Sequence, residues 1–462
     1  MKSKSMAVFT LLVAASTFSA TQVLPREMAD KIDRVATETL AKTGVPSASV
    51  AVVKDGHIAY VHAYGEAKLD PRTPAAPRMR YSVGSITKQF TAAAILMLAE
   101  QGKLSLDDPV ARWLPNLTRA NEVTIRQLLS HTSGYQDYWP QDYVMPMMLE
   151  PVTAEKILDL FARKPLDFDP GTKWQYSNTN YVIAGLIAQK AGGMPLFDML
   201  KSKVFAPLEM QSVANIDQGR LTSSDPTGYM RYALGPLRPA PKEGKGWLFA
   251  AGELAMEAQD LAKWDIAMIE QRVLKPASYR QMETETMLKN GLGTGYGLGV
   301  YVSQEAGHRR VSHTGEVSGF TAANDVYPDD AAAVVVLTNQ DAASASGAIA
   351  RAIAQALFAP PEDMAATQQA RRIFEGFQHG TIERALFTSN ANSYFSEQAL
   401  RDFAGSLGPL GTPQEFKQTA QSLRGGMVYR RFQVKFPQHT LAVTTFTMPD
   451  GKLEQYLVMA LE

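Results

Sequence analysis

Hydrophobic positions follow several rhythms along this chain. From Glu27 to Lys42 they recur with the period of a helix that buries one face. Ala48 to Val53 and Ile58 to Ala63 are instead rich in β-branched residues, and Asp55-Gly56 between them is a two-residue hairpin signal. A loop rich in proline and charge, Asp70 to Arg80, leads into Tyr81-Ser82-Val83-Gly84-Ser85. From Ser85 to Gln101 the pattern is helical and, through Ala92 to Ala99, apolar nearly all round, which predicts a buried helix ended by Gly102. Residues from about 104 to 275 read as mostly helical, with long proline-containing connections. Strand patterns then return at Gly297 to Ser303, Arg309 to Ser312, Phe320 to Tyr327 and Ala333 to Thr338. Pro328-Asp329-Asp330 marks a hairpin between the last two, and Ala345 to Phe358 closes this part as a helix.

Strands at both ends and helices in the middle predict an α+β fold. One antiparallel sheet is assembled from distant segments and flanked by helices, with a helical domain inserted at about 104–275. This domain spans 21–360. Pro360-Pro361-Glu362-Asp363 reads as a linker. Beyond it, residues 365–462 form a small α+β domain, with helices between Ala365 and Leu407 and strands at Met427 to Phe436, Thr440 to Met448 and Leu453 to Ala460. Tyr394, Phe395, Phe432 and Phe436 read as its core.

Composition narrows the function. Lysine plus arginine equals aspartate plus glutamate, so no basic surplus points to nucleic acid. The absence of cysteine excludes thiolate catalysis and thiolate zinc sites, and no metal-ligand cluster is evident, so neither metal nor cofactor is expected. Lys2 and Lys4 precede a short apolar stretch from Met6 to Ala15 and then small residues up to Ala20. That order reads as a bacterial signal peptide over residues 1–20, with a periplasmic or secreted mature chain that has no membrane span.

Three short segments carry candidate chemistry. Ser85-Ile86-Thr87-Lys88 is the single S-x-x-K in the chain. At the start of a helix, positions i and i+3 share a face, so Lys88 can reach the Ser85 hydroxyl, a poor nucleophile until a neighbour takes its proton. Tyr176-Ser177-Asn178 follows the turn at Pro170-Gly171 and offers a phenol and an amide, or simply an aromatic loop anchor. His313-Thr314-Gly315 sits on or after a strand, where glycine admits close backbone approach.

The order S-x-x-K, Y-S-N, H-T-G resembles the penicillin-recognising serine hydrolases. The tyrosine-type second element resembles the class C β-lactamase branch, with its esterase and D-peptidase relatives. Leu128-Leu129-Ser130-His131-Thr132-Ser133-Gly134 resembles the family's LLxHTSG segment, and Gly295-Tyr296-Gly297-Leu298-Gly299 its Y-G-L-G strand entry. The resemblance implies an acyl-enzyme on Ser85, with Lys88 and Tyr176 sharing the proton transfers. It places the N–H groups of Ser85 and Glu316 in an oxyanion hole, with Asn178, His313, Thr314, Gly315 and Glu316 binding substrate. Which of Lys88 and Tyr176 is the base stays open.

Substrates implied are esters, D-amino-acid peptides or β-lactams, small molecules or peptides possibly derived from cell wall. His313 in place of the family's lysine, and a carboxylate at Glu316, disfavour anionic substrates; Arg309 and Arg310 nearby are candidates to compensate. An esterase or peptidase of modest β-lactam activity is therefore expected. The alternatives are a penicillin-binding sensor that is acylated but turns over poorly, and a non-catalytic scaffold. The tail resembles, more loosely, the cone-shaped domains of the ketosteroid-isomerase-like superfamily, with no catalytic constellation of its own. Oligomeric state is not legible.

Overall fold

The computed structural model describes residues 24–305, 307–358 and 364–461. The signal-peptide segment and the Pro360–Asp363 linker lie outside the described residues. The chain separates into two compact units, Met1–Ala356 and Leu357–Glu462.

The first unit is built on a seven-stranded sheet. Helix α1 (Arg26–Thr43) precedes β1 (Ser47–Lys54), β2 (His57–Leu69) and the short β3 (Arg72–Pro74). The remaining strands come from far downstream: β4 (Tyr301–Glu305), β5 (His308–Val317), β6 (Phe320–Tyr327) and β7 (Ala332–Thr338). Their spatial order is β3-β2-β1-β7-β6-β5-β4, so the two ends of the unit meet where β1 pairs antiparallel with β7. β6 and β7 are buried along their whole length and β1 nearly so, which explains why these segments read as apolar runs rather than alternations. The β1–β2 hairpin turns at Asp55 (φ 52°) and Gly56 (φ 76°), two successive positive φ angles as a primed turn requires.

Helix α2 (Thr87–Glu100) is buried from Thr87 to Leu98, and α3 (Asn178–Gly192), packed against it, from Thr179 to Ala188. Two helices this thoroughly enclosed form a rigid axle beside the sheet. Helix α4 (Ala258–Ile269) lies on β1, β2 and β7. A buried polar chain locks these pieces together. Trp264 donates to Gln89 Oε1 (2.8 Å), Gln89 Nε2 donates to Asn324 Oδ1 (2.9 Å), and Asn324 Nδ2 donates to both Asp265 oxygens (2.8 Å each). Each member is satisfied, so the network fixes alignment without leaving an orphaned group.

Two expectations need correction. The 104–275 stretch is not mostly helical: apart from α3 and α4 it holds short helices such as Ile125–Leu129 and Ala154–Ile157, two- and three-residue strands, and long irregular connections. Nor is Gly297–Ser303 one strand, since β4 starts at Tyr301. A Cβ on Gly297 would lie 2.0 Å from Met282 O and one on Gly299 2.8 Å from Lys88 O, so this segment is a crowded backbone crossing that glycine permits.

The second unit packs α5 (Met364–Gln378), α6 (Ser389–Tyr394) and α7 (Glu397–Leu407) with a four-stranded antiparallel sheet of β8 (Glu415–Arg424), β9 (Met427–Lys435), β10 (Thr440–Thr447) and β11 (Leu453–Leu461). Thr367, Ala370, Phe374 and Phe377 recur at helical spacing on the buried face of α5, where Phe377 stacks on Phe403 with ring centres 4.6 Å apart. Phe395, Phe432 and Phe436 are buried as expected, but Tyr394 is 61% exposed. Edge strand β8 escaped the sequence pattern because most of its residues are polar and exposed.

Candidate active site

Ser85 lies in a single 3-10 turn, Gly84–Ile86, that feeds directly into α2. One turn further on, Lys88 has no exposed surface. Its Nζ lies 2.9 Å from Ser85 Oγ, 2.8 Å from Asn178 Oδ1 and 3.0 Å from the carbonyl oxygen of Ala251. The last two are acceptors only. A neutral amine has two N–H bonds and one lone pair. With both N–H bonds directed at Asn178 and Ala251, the lone pair of neutral Lys88 faces the serine hydroxyl. Thr91 Oγ1 donates to the Ala250 carbonyl (2.7 Å) and the Leu254 N–H donates to Thr87 Oγ1 (3.2 Å), so α2 itself holds the Ala251 segment in place. Burial lowers the Lys88 pKa to about 7, against a smaller opposing pull from Asp137.

Asn178 opens α3 and is fixed from both sides. Its backbone N–H donates to Asp137 Oδ1 (2.8 Å) and its Nδ2 to Asp137 Oδ2 (3.3 Å), which orients the amide oxygen toward Lys88. The sequence expectation gave Asn178 to the substrate; in the structure its amide oxygen is engaged by the lysine. Burial raises the Asp137 carboxyl, with the Trp139 and Asn178 N–H groups and Lys88 opposing.

Tyr176 is carried by the loop after Gly171, whose turn is closed by the Thr172 N–H donating to Asp169 O (3.0 Å). His131 grips this loop: its carbonyl accepts the Gln175 N–H (3.0 Å) and its Nδ1 accepts the Ser177 N–H (3.1 Å). Its ring lies against Tyr176 at 4.3 Å and against Tyr296 at 4.9 Å. Burial, with repulsion from Lys88 and His313, holds His131 well below the ordinary imidazole range, so it is a neutral clamp. The Tyr176 phenol is pushed well above its ordinary value by burial, and its hydrogen bond with Ser85 opposes this only partly. Lys88 Nζ sits 4.9 Å from the Tyr176 ring centre. The three side chains at 85, 88 and 176 therefore meet.

Strand β5 completes the site by backbone contact. A Cβ on Gly315 would fall 1.9 Å from Val83 O and 3.4 Å from Ser85 N, and one on Gly84 would fall 2.7 Å from Glu316 N. Two facing glycines thus bring the amides of Ser85 and Glu316 side by side. Along the strand Thr314 and Glu316 are exposed while His313 and Gly315 are buried. His313 carries no charge. Burial and Lys88 lower its pKa to about 3, and its Nε2 pairs with the Tyr296 hydroxyl (2.9 Å). It joins an aromatic cage with Tyr176, Tyr296 and Tyr301.

A cavity of about 590 Å³ opens over Ser85, with Asn178, Tyr176, His313, Thr314 and Glu316 in its wall. Arg309 pairs with Glu283 and Asp329, and Arg310 with Glu305. Neither lines the cavity, so the suggested compensation for Glu316 does not occur. Among the described residues no group of three or more histidine or carboxylate side chains is placed to hold a metal. Asp137 and Tyr301 were missed by sequence reasoning. His131 and Tyr296 fell within motifs and were given no role; their signals were the places before Thr132-Ser133-Gly134 and Gly297-Leu298-Gly299.

The architecture is the β-lactamase/transpeptidase-like fold, an antiparallel sheet flanked by helices, with a small C-terminal sheet domain added. A family model described as Beta-lactamase matches residues 32–358, and the chain belongs to that family; it is an enzyme of the serine hydrolase type. It is 29% identical over 347 residues to penicillin-binding protein 4* of Bacillus subtilis, covering 71% of this chain and 76% of that one. A D-aminopeptidase of Brucella anthropi is 28% identical, covering 64% of this chain but only 56% of its own length. The octameric penicillin-binding protein homologue of Pyrococcus abyssi superposes with a TM-score of 0.64 at 25% identity, over 94% of this chain and 96% of that one.

Proposed function

We propose that the protein hydrolyses acyl compounds through an ester on Ser85. Neutral Lys88 takes the hydroxyl proton as Ser85 Oγ bonds to the substrate carbonyl carbon, and the carbonyl oxygen becomes an oxyanion. The adjacent Ser85 and Glu316 N–H groups are positioned to receive it; one such donor is typically worth about 2.7–4 kcal/mol. As the carbonyl re-forms, the bond to the leaving amine or alcohol breaks. The Tyr176 phenol, kept protonated by its surroundings, passes a proton to that group and is replenished from Lys88. Water then gives a proton to neutral Lys88 as its oxygen bonds to the acyl carbon; the acyl–Oγ bond breaks, the acid leaves, and Ser85 Oγ regains a proton from Lys88. Asn178 holds Lys88, Thr314 lines the path of the substrate, and Gly315 admits the close approach of the strand to Val83 and Ser85.

The observation that carries this reading is the buried Lys88 amine 2.9 Å from Ser85 Oγ, with acceptors on its other two sides. The substrates fitted are short esters or peptides, including the D-amino-acid peptides suggested by the D-aminopeptidase relative, with modest activity on β-lactams. Intact-protein mass spectrometry after incubation with acyl esters, D-peptides and penicillins tests it. A stoichiometric adduct is expected on the wild type and none on Ser85→Ala, and turnover by that variant would overturn the mechanism. A persistent adduct with no product release would instead identify a penicillin sensor. The basic start and short apolar run of residues 1–20 support export to the periplasm or medium, and no helix among the described residues is long and apolar enough to cross a membrane.

A further inference from the structure

The cavity over Ser85 has a one-sided charge. Asp137, Asp142, Glu316 and Asp341 line it, and among the described residues no arginine or lysine does. Glu316 and Asp341 lie together: the Glu316 carboxylate accepts the Ala342 N–H (2.7 Å) and the Asp341 carboxylate accepts the Gly319 N–H (2.9 Å). Asp142 and Asp341 both repel Glu316, a repulsion that a bound cation relieves. Among the described residues Lys88, buried beside Ser85, opposes Asp137, while Arg309 and Arg310 are engaged with Glu283, Asp329 and Glu305 outside the cavity.

The second half of the argument is aromatic. The run Asp137-Tyr138-Trp139-Pro140-Gln141-Asp142-Tyr143-Val144 lines the cavity without interruption. It supplies two of the carboxylates and the rings of Trp139 and Tyr143, while Tyr138 is buried in the core beneath them with its hydroxyl donating to the Trp247 carbonyl. Trp139 is tied to its own loop, its indole N–H donating to the Tyr143 carbonyl (3.0 Å), and Tyr143 is 65% exposed. Aromatic faces next to carboxylates, within a cleft that also holds a nucleophile, attract an organic ammonium by ring quadrupole and net charge together. The same surface repels a carboxylate.

We infer that the cleft selects substrates bearing an ammonium group near the scissile carbonyl and discriminates against those bearing a carboxylate there, with Glu316, Asp341 and the 137–144 loop as the determinants. The inference rests on the serine hydrolase reading and deepens it: the favoured substrates are cationic esters or amides, and penicillins and C-terminal peptides with a free carboxylate are poor.

Matched substrate pairs test this. In one pair the charge is on the leaving group, butyrylcholine against 3,3-dimethylbutyl butyrate. In the other it is on the acyl group, D-alanine 4-nitroanilide against its N-acetyl derivative. The expected result is at least a tenfold higher kcat/KM for the cation in one pair, shrinking as salt is raised. The preference falls at least threefold in Glu316→Gln and in Asp142→Asn, the latter an exposed position where folding is not at issue. Equal rates within both pairs, a preference unaffected by both substitutions, or faster turnover of a carboxylate-bearing cephalosporin than of either cation would overturn the inference. Labelling of Ser85 by a fluorophosphonate, which carries no ammonium, separates the two readings. Labelling without cation preference sinks the selectivity alone, whereas absence of labelling sinks the nucleophile.

Discussion

Lys88 is the group on which the chemistry turns, and its titration has a measurable consequence. An ordinary lysine near pH 7, with a pKa of about 10.4, is neutral in roughly one molecule in 2,500. With its pKa lowered to about 7 by burial, Lys88 is neutral in ~half the molecules at that pH. Burial thus raises the concentration of competent base about 10³-fold, at the cost of a weaker base. The assay is kcat/KM for a neutral acyl ester against pH, which reports free enzyme. An acid limb of unit slope centred near pH 7 is expected, with activity falling ~tenfold per pH unit below it. The competitors predict other positions. A tyrosinate base at Tyr176 would put the limb above pH 10, and a titrating His313 would put it near 3. Lys88→Arg keeps positive charge but has no accessible lone pair, and should lose about 10²–10⁴-fold. A limb above pH 9, or an arginine variant with most of its activity, would refute the assignment. Stability gives an independent reading. Between about 7 and the ordinary 10.5 the unfolded chain binds a proton that the folded chain does not, so stability should rise with pH across that window. Lys88→Met should flatten that rise in denaturant titrations.

Other perturbations test the scaffold around it. Gly315→Ala places a methyl 1.9 Å from Val83 O, so β5 or the Ser85 turn must shift; acylation should slow by at least tenfold and stability fall by about 1–3 kcal/mol, measured by probe labelling and urea melts. His131→Ala frees the Tyr176 loop and leaves the Ser177 N–H without its acceptor, costing about 1–3 kcal/mol and lowering kcat while Ser85 still labels slowly. Unchanged kcat there would show that the clamp is dispensable. Phe377→Ala removes the centre of the second unit's aromatic core and should cost it about 3–5 kcal/mol, seen as loss of amide-exchange protection within 364–461, whereas full protection would mean the core collapses around the gap.

Much was legible in the primary structure because it depends on short spacing. The i, i+3 relation of Ser85 and Lys88 on a helix start, the two positive φ angles of Asp55-Gly56, and the continuous burial of β6 and β7 are local consequences of residue type. So is the helical spacing that buries Phe374 and Phe377. The order of the motifs carried the rest of the class, including the arrival of Tyr176 beside Ser85 from some ninety positions away.

Tertiary structure alone decided charge and partnership. The polar type of His313 says nothing of the burial and the nearby Lys88 that hold it neutral, and an asparagine in Y-S-N does not announce that Asp137 will turn its oxygen to a lysine. Arg309 and Arg310 lie near the motif in sequence, yet strand geometry points them to Glu283, Asp329 and Glu305 rather than into the cleft. Proton affinity and electrostatic sign are set by dielectric surroundings and by neighbours brought together across hundreds of residues, so no local pattern encodes them.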